Sequence, residues 1–377
     1  MIRFNVPLRL GTEEKYVLDA IESNRIGGDG NYTKKCCEWM ERNFQVQKVV
    51  LTTSCSTALD MAAILSQFNP GDEVILPSFT FPTTASSLAK EGVRLVFVDI
   101  RKDTMNIDEN LIEAAITPKT KAIMLMHYAG VSCEMDAIME IAHKHNLIII
   151  EDAAQGFMAT YKGQALGTFG DFGTISFHET KNFTMGEGGA LYIRDGIHND
   201  EADNLKDSGT DRQGFLKGKV SAYSWVRLGS SYMPSELSAS YLYGQLEHAH
   251  KVTQRRLEIW HRYYQGLVNL QSKIDLPFIP ENCDHNAHIF YIRVKDEHER
   301  SLLIDHLKND GIQAVFHYIP LHSSKAGLIH GRFHGEDRYT TKESSRLLRL
   351  PLFYDLNDEE VDKVINSIHN FYNEHIS

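Results

Sequence analysis

No stretch of the 377-residue chain approaches 18 consecutive apolar residues, so a membrane-spanning helix is not expected. The opening Met1-Ile2-Arg3-Phe4-Asn5-Val6-Pro7 lacks a long apolar core, so a secretory signal is not expected either. No G-x-G-x-x-G follows the first strand candidate, which argues against a nicotinamide enzyme. Among 18 histidines, no pair has the spacing of H-E-x-x-H. Adjacent Cys36 and Cys37 lack the intervening residues that let two thiolates share one metal, so no metal site is expected. Five cysteines without repeated spacing suit reduced thiols in a cytoplasmic protein. Basic side chains are in deficit, 39 against 50 acidic ones. Neither nucleic acid nor an anionic membrane is therefore expected as a partner, since both need a basic face. Repeats, low-complexity tracts and Pro/Gly-rich linkers are also missing.

What is present is an ordinary globular composition, 42% hydrophobic and 24% charged, in a chain long enough for two domains. From about residue 30 to 235, short apolar strands alternate with helical patterns. Strands are expected at Lys48–Thr52, Glu73–Leu76, Arg94–Val98, Ala122–Met126, Leu147–Ile150 and Gly173–Phe177, with helices such as Ala58–Gln67 and Met135–His145 between them. This alternation predicts βαβ units in a parallel-dominated, three-layer α/β domain. One long helix is expected from Ser235 to about Tyr264. A smaller α+β pattern follows: strands at Ile289–Val294 and Ile312–His317, and helices at Glu297–Asn309, Thr340–Arg349 and Asp358–His375. Arg338 through Glu343 reads as a helix start with solvated charges. Residues 1–250 and 251–377 are the expected domains.

Chemistry gathers around Lys181. The run Leu147-Ile148-Ile149-Ile150 reads as a buried strand that delivers Asp152 to its carboxyl end, where open α/β sheets bind ligands. A second strand, ending near Ser176, leads into Lys181 and a glycine-rich turn, Gly186-Glu187-Gly188-Gly189. A lysine and a carboxylate at one sheet mouth are what pyridoxal phosphate (PLP) requires. The amine forms a Schiff base, and the acid holds the pyridinium proton. Ser54-Cys55-Ser56-Thr57 opens a helix, whose first N–H groups and dipole favour a phosphate. Taken alone, that motif reads first as an ordinary Ser/Thr cap.

The ordered set of motifs resembles the DegT/DnrJ/EryC1/StrS sugar aminotransferases over nearly the whole chain. It includes Gly28-Asp29-Gly30, Thr53-Ser54-Cys55, Pro77-Ser78-Phe79-Thr80-Phe81, Met105-Asn106-Ile107-Asp108, His127-Tyr128-Ala129-Gly130, Glu151–Gln155, Ser176–Asn182, Phe316–His322 and Phe333–Tyr354. The resemblance implies a type I PLP transferase fold of aspartate aminotransferase type, with a three-layer α/β large domain and a smaller α+β C-terminal domain. It implies that Lys181 is catalytic and that Ser54, Cys55 (through its backbone), Ser56 and Ser176 hold the cofactor phosphate. Phe81 then matches the residue stacking on the ring, Asp152 the partner of its nitrogen, and Gln155 the neighbour of its phenolic oxygen. His317, Tyr318 and His322 are implied to line the sugar-nucleotide pocket. Met233 stands where many relatives place an asparagine that reaches the partner subunit's phosphate site.

The implied reaction converts dTDP-4-keto-6-deoxyglucose to dTDP-4-amino-4,6-dideoxygalactose, with glutamate as donor and a homodimer as the working unit. The gluco epimer and a 3-amino sugar are the runners-up. A PLP sugar dehydratase is disfavoured, because such relatives carry histidine at the position of Lys181. A silent regulatory homologue is disfavoured by the retention of Asp152, Gln155, Ser176 and Lys181 together.

Overall fold

The computed structural model describes residues 1–375 of the chain. Its longer strands, in chain order, are β1 (Lys48–Thr52), β2 (Glu73–Pro77), β3 (Arg94–Val98), β4 (Thr120–Met126), β5 (Ile148–Asp152), β6 (Phe172–Ser176), β7 (Gly189–Ile193), β8 (Phe290–Arg293), β9 (Gly331–Phe333) and β10 (Leu347–Leu350). One large sheet runs in the order β1-β7-β6-β5-β4-β2-β3-β9. Its pairs are parallel except at β7, which lies antiparallel between β1 and β6. Side chains alternate across this sheet into two cores, as a period of two demands. Ile75, Ile123 and Ile149 face the layer of Tyr32, Met40 and Met135. Val74, Leu76, Met124 and Ile150 face the layer of Leu59, Met61 and Leu88. Burial on both faces is why the strands read as unbroken apolar runs.

A separate core lies toward the C-terminus. The antiparallel pair β8–β10 packs with helices Ala249–Leu267, Glu297–Asn309 and Asp358–His375 through Tyr263, Phe290, Leu303, Leu348 and Val364. The N-terminus joins this core: Ile2 is buried there and exchanges backbone hydrogen bonds with Gly311 and Gln313. Phe79, Tyr128, Ile289, Tyr291 and Leu347 fill the space between it and the large sheet.

Four expectations are corrected. The segment from Ser235 is two helices, Glu236–Leu246 and Ala249–Leu267, broken at His248 (φ −114, ψ 16). Leu246 and Ala249 are both buried across the break, so the apolar pattern continues where the backbone does not. Ile312–His317 is not a strand; it makes only the single bridges Ile2↔Ile312 and Val315↔Arg349. The helix from Thr340 stops at Ser345, and Leu347–Leu350 pairs with Phe290–Arg293. Leucine favours helices slightly, but a partner strand with a shared core outweighs propensity. Glu343 is not solvated: it is fully buried against Arg293 at 3.2 Å.

Three buried carboxylates pin loops to the framework by accepting backbone N–H groups. Glu151 takes those of Gly167, Phe169 and Gly170 and a bond from His127 Nε2. Glu236 caps the helix Asn31–Phe44 through Gly30, Tyr32 and Thr33. Asp99, just past β3, accepts from the N–H groups of Arg338, Tyr339 and Thr340 and from the Thr340 hydroxyl. Each Asp99 oxygen therefore faces two donors, so the amide nitrogen of an asparagine in its place would face donors in either orientation. Asp99→Asn is expected to lower stability by roughly 2 kcal/mol or more. The urea midpoint measures this, and an unchanged midpoint would show that the contacts are dispensable.

Candidate active site

The carboxyl edge of the large sheet gathers the chemical groups. β1, β5 and β6 end there at Thr52, Asp152 and Ser176, and the antiparallel β7 starts there at Gly189. A cavity of about 1520 Å³ opens over this edge, lined by Lys181, Asp152, Ser56, Phe81, Tyr318 and Arg349 among others. Ser54, Cys55, Gln155, Ser176 and His317 also line it; His322 does not.

Ser54 caps the helix Cys55–Leu65 in a reciprocal box with Thr57, so its hydroxyl is committed to the backbone. The Cys55 and Ser56 N–H groups have no acceptor among the described residues. Burial pushes the Cys55 thiol up, so it remains neutral. Gly189 closes the cradle. A Cβ there would stand 2.4 Å from the Cys55 nitrogen, so only glycine lets β7 approach the helix start. Free N–H groups, the helix dipole and the Ser56 and Ser176 hydroxyls make a phosphate-sized anion site.

Asp152 is 2% exposed and accepts from the Ala154 N–H (3.1 Å) and the Thr84 hydroxyl (2.6 Å). Its neighbour Glu151, on the other face of the strand, has four donors and no capacity left. Burial raises the Asp152 pKa, against the opposing pull of Thr84, Ala154 and Lys181. Burial lowers the Lys181 pKa, with Cys55 and Asp152 countering it and Arg349 adding to it. An amine shifted this way carries a larger neutral, nucleophilic fraction at neutral pH.

Phe81 is 50% exposed, presenting its ring to the cavity rather than packing in the core. Gln155 is held at both ends: its oxygen accepts from the Ala129 N–H, and its nitrogen donates to the Tyr318 hydroxyl. The set fits PLP. It offers an anion cradle, a flat apolar wall, a carboxylate with spare acceptor capacity for a ring N–H, and an amine for the aldehyde.

The histidines divide by partner. His127 Nδ1 accepts from the Cys133 N–H and Nε2 donates to Glu151, so both nitrogens are occupied in a structural role. His317 stacks on Tyr318 with ring centres 3.6 Å apart and bonds the Tyr128 hydroxyl. His322 is held by Ser78 and Asp337, is not among the residues that line the cavity, and anchors the Phe316–His322 loop. Sequence reasoning missed Thr84, His288 and Arg349. His288 lines the cavity and bonds the Asn182 side chain at 3.0 Å. Arg349 was hidden inside what read as a helix. A threonine beside a motif, or one arginine among many, carries no spacing signal.

Comparison with known proteins identifies the family of the chain. Residues 10–369 match the pattern of the DegT/DnrJ/EryC1/StrS aminotransferase family. The spore coat polysaccharide biosynthesis protein SpsC of Bacillus subtilis is 33% identical, over 85% of this chain and 84% of its own. GDP-perosamine synthase of Escherichia coli O157:H7 is 30% identical, over 98% of each chain. The PLP form of Spr1654 from Streptococcus pneumoniae, designated a sugar aminotransferase, superposes with a TM-score of 0.89 at 29% identity, covering 99% of both chains. The chain belongs to the DegT/DnrJ/EryC1/StrS aminotransferase family and is a PLP-dependent aminotransferase.

Proposed function

We propose that the enzyme moves an amino group from glutamate to a nucleotide-linked keto-sugar, and that this sugar is dTDP-4-keto-6-deoxyglucose, yielding the 4-amino-4,6-dideoxygalactose nucleotide. The observation that carries the reading is the buried Lys181, with its lowered pKa, in one cavity with Asp152. The relatives that make GDP-perosamine and a spore coat polysaccharide support a sugar substrate. The first of them favours a GDP-linked substrate as the second reading. The resemblance supports a homodimer as the working unit.

When bound, PLP supplies an aldehyde for the incoming amine and a ring that takes up the electron pair of a broken C–H bond. The protein's residues do the rest. Lys181 holds the cofactor until the donor arrives. Its freed Nζ then takes the proton from the donor's α-carbon and later delivers one to the sugar carbon that receives nitrogen. Asp152, oriented by Thr84 and Ala154, keeps the ring nitrogen protonated. Phe81 would lie against the ring, and the Cys55 and Ser56 N–H groups with Ser176 would hold the phosphate. Gln155 and Tyr318, bonded to each other, form part of the same cavity wall. Glutamate and sugar use the site in turn, so the kinetics are ping-pong.

Lys181→Ala is expected to cut turnover by at least ~10⁴-fold, because one amine both anchors and carries protons. Borohydride reduction and peptide mass mapping provide the check: the wild type should carry the cofactor on the Lys181 peptide and the variant should carry none. Label on another lysine would reassign the anchor.

Asp152→Asn keeps the shape and removes the charge. Glutamate-driven bleaching of the cofactor should slow by about 10²–10³-fold, with a much smaller change in glutamate binding. Stopped-flow at saturating glutamate reads this, and a normal rate would make Asp152 merely structural.

Proton NMR of the product tests the substrate assignment. A small H3–H4 coupling is expected, because Lys181 delivers the proton to the face of the bound sugar that leaves the amine axial. A large coupling would indicate the gluco epimer, and an amine at C3 or inertness toward the dTDP sugar would overturn the assignment.

A further inference from the structure

His288 is a cavity residue whose hydrogen bonds are accounted for at every polar atom except one. It precedes β8 by two residues and is 6% exposed. Its backbone is fixed on both sides: the N–H donates to the Asn286 side-chain oxygen at 3.0 Å, and the carbonyl accepts from buried Arg256 at 2.8 Å. Asn286 is fixed in turn, because its amide nitrogen donates to the Gln155 and Phe157 carbonyls, both at 2.8 Å.

The state of the ring follows from Asn182. That side chain stands between two neighbours: Nδ2 donates to the Asn286 carbonyl at 3.0 Å, and Oδ1 faces His288 Nδ1 at 3.0 Å. A carbonyl only accepts, so the Asn182 amide cannot be turned over, and its oxygen needs a donor. His288 Nδ1 therefore carries a hydrogen. No carboxylate pairs with the ring among the described residues, and a buried imidazolium without one is costly. Burial and the cations Lys181, Arg256 and Arg349 hold its pKa well below the usual histidine range, so the ring is neutral. Nε2 is then a bare lone pair. It has no partner among the described residues and is not closed off from the cavity that His288 lines.

Of the two substrates, the sugar suits this acceptor. Beyond the amine that reacts with the cofactor, the polar groups of glutamate are carboxylates, which a lone pair repels. A keto-sugar brings neutral hydroxyls, which donate readily to an imidazole nitrogen. Asp152 is taken by the cofactor's ring nitrogen, and the Tyr318 hydroxyl accepts from Gln155, which leaves its hydrogen to be donated. Tyr318 thus offers the cavity a donor, and His288 an acceptor.

We propose that His288 determines specificity in the sugar half-reaction: its Nε2 accepts a hydrogen bond from a hydroxyl of the bound keto-sugar, and Asn182 is the positioning residue that sets the tautomer. Asn182 follows Lys181 in the chain, so the loop that carries the reacting amine also orients the group that reads the sugar. The site therefore favours a keto-sugar that keeps this hydroxyl over a deoxygenated one.

This inference rests on the keto-sugar reading and deepens it. His288→Asn and His288→Gln holoenzymes are compared with wild type in the two half-reactions separately, followed by cofactor absorbance: glutamate with the PLP form, and keto-sugar nucleotide with the pyridoxamine form. Asparagine can still donate to Asn182 but is too short to replace Nε2, whereas glutamine carries an amide oxygen about that far. For His288→Asn, the apparent Kd for the keto-sugar nucleotide should rise about 5–10-fold, with little change for glutamate, and His288→Gln should recover part of the loss. With the 2-deoxy or the 3-deoxy keto-sugar nucleotide, whichever lacks the bonded hydroxyl, wild type and His288→Asn should bind alike. Asn182→Leu, which removes the acceptor for Nδ1, should weaken the hydroxylated sugar but not that same analogue, a split that a merely structural role would not produce. Equal cofactor content and a working glutamate half-reaction show that the variants are folded. An unchanged sugar Kd in His288→Asn overturns the proposal, as does an equal loss toward glutamate, or a loss that persists with both deoxy analogues. A wild-type pyridoxamine form inert toward nucleotide keto-sugars would instead overturn the substrate reading itself, and this inference with it.

Discussion

An acid and an amine withdrawn from water at the same sheet edge set the terms for the rest of this molecule. Burial works on Asp152 and Lys181 in opposite directions, raising one pKa and lowering the other, and their mutual attraction opposes both shifts. Neither group can be moved to the surface without losing this tuning. Neither can be buried without a scaffold that supplies the missing hydrogen bonds. The eight-stranded sheet is that scaffold: its parallel strands bring their carboxyl ends, and β7 its amino end, to one rim.

Acids that hold the fold and the acid that serves the site differ in how fully they are satisfied. Glu151, Glu236 and Asp99 each accept at least three backbone N–H bonds. Asp152 has one backbone N–H and one hydroxyl. Glu151 and Asp152 are consecutive on one strand, so alternation sends the first into the framework and the second into the cavity. A substitution at Glu151 therefore acts on folding, and one at Asp152 on chemistry.

The cavity is assembled from three stretches far apart in the chain. The large sheet provides the cofactor cradle, the Phe316–His322 loop provides the wall of His317 and Tyr318, and the N-terminal segment brings Phe4 and Asn5 to the rim. Asn5 donates to the Glu179 carbonyl, two residues before Lys181, and Ile2 is seated in the C-terminal core. The N-terminal segment thus links the lysine loop to the core that carries Arg349.

The sequence by itself determined six strands of the large sheet, a helix opening at Ser54–Thr57, and the delivery of Asp152 and Lys181 to one sheet mouth. All of these follow from local patterns: apolar runs, cap residues, and polar residues placed where runs end. Gly189–Ile193 was legible only as the end of a glycine-rich turn, because nothing local marks an antiparallel strand inserted between β1 and β6. The break at His248 contains neither proline nor glycine, and the apolar stripe passes straight over it. Only tertiary structure decided that Leu347–Leu350 is a strand, that Glu343 is buried, that Ser54 spends its hydroxyl on Thr57, and that Thr84 orients Asp152. It also decided that Arg349 lines the cavity, with no acidic partner among the described residues. Pairing, burial and partner choice depend on what lies across space, and a residue's sequence neighbours carry no record of that.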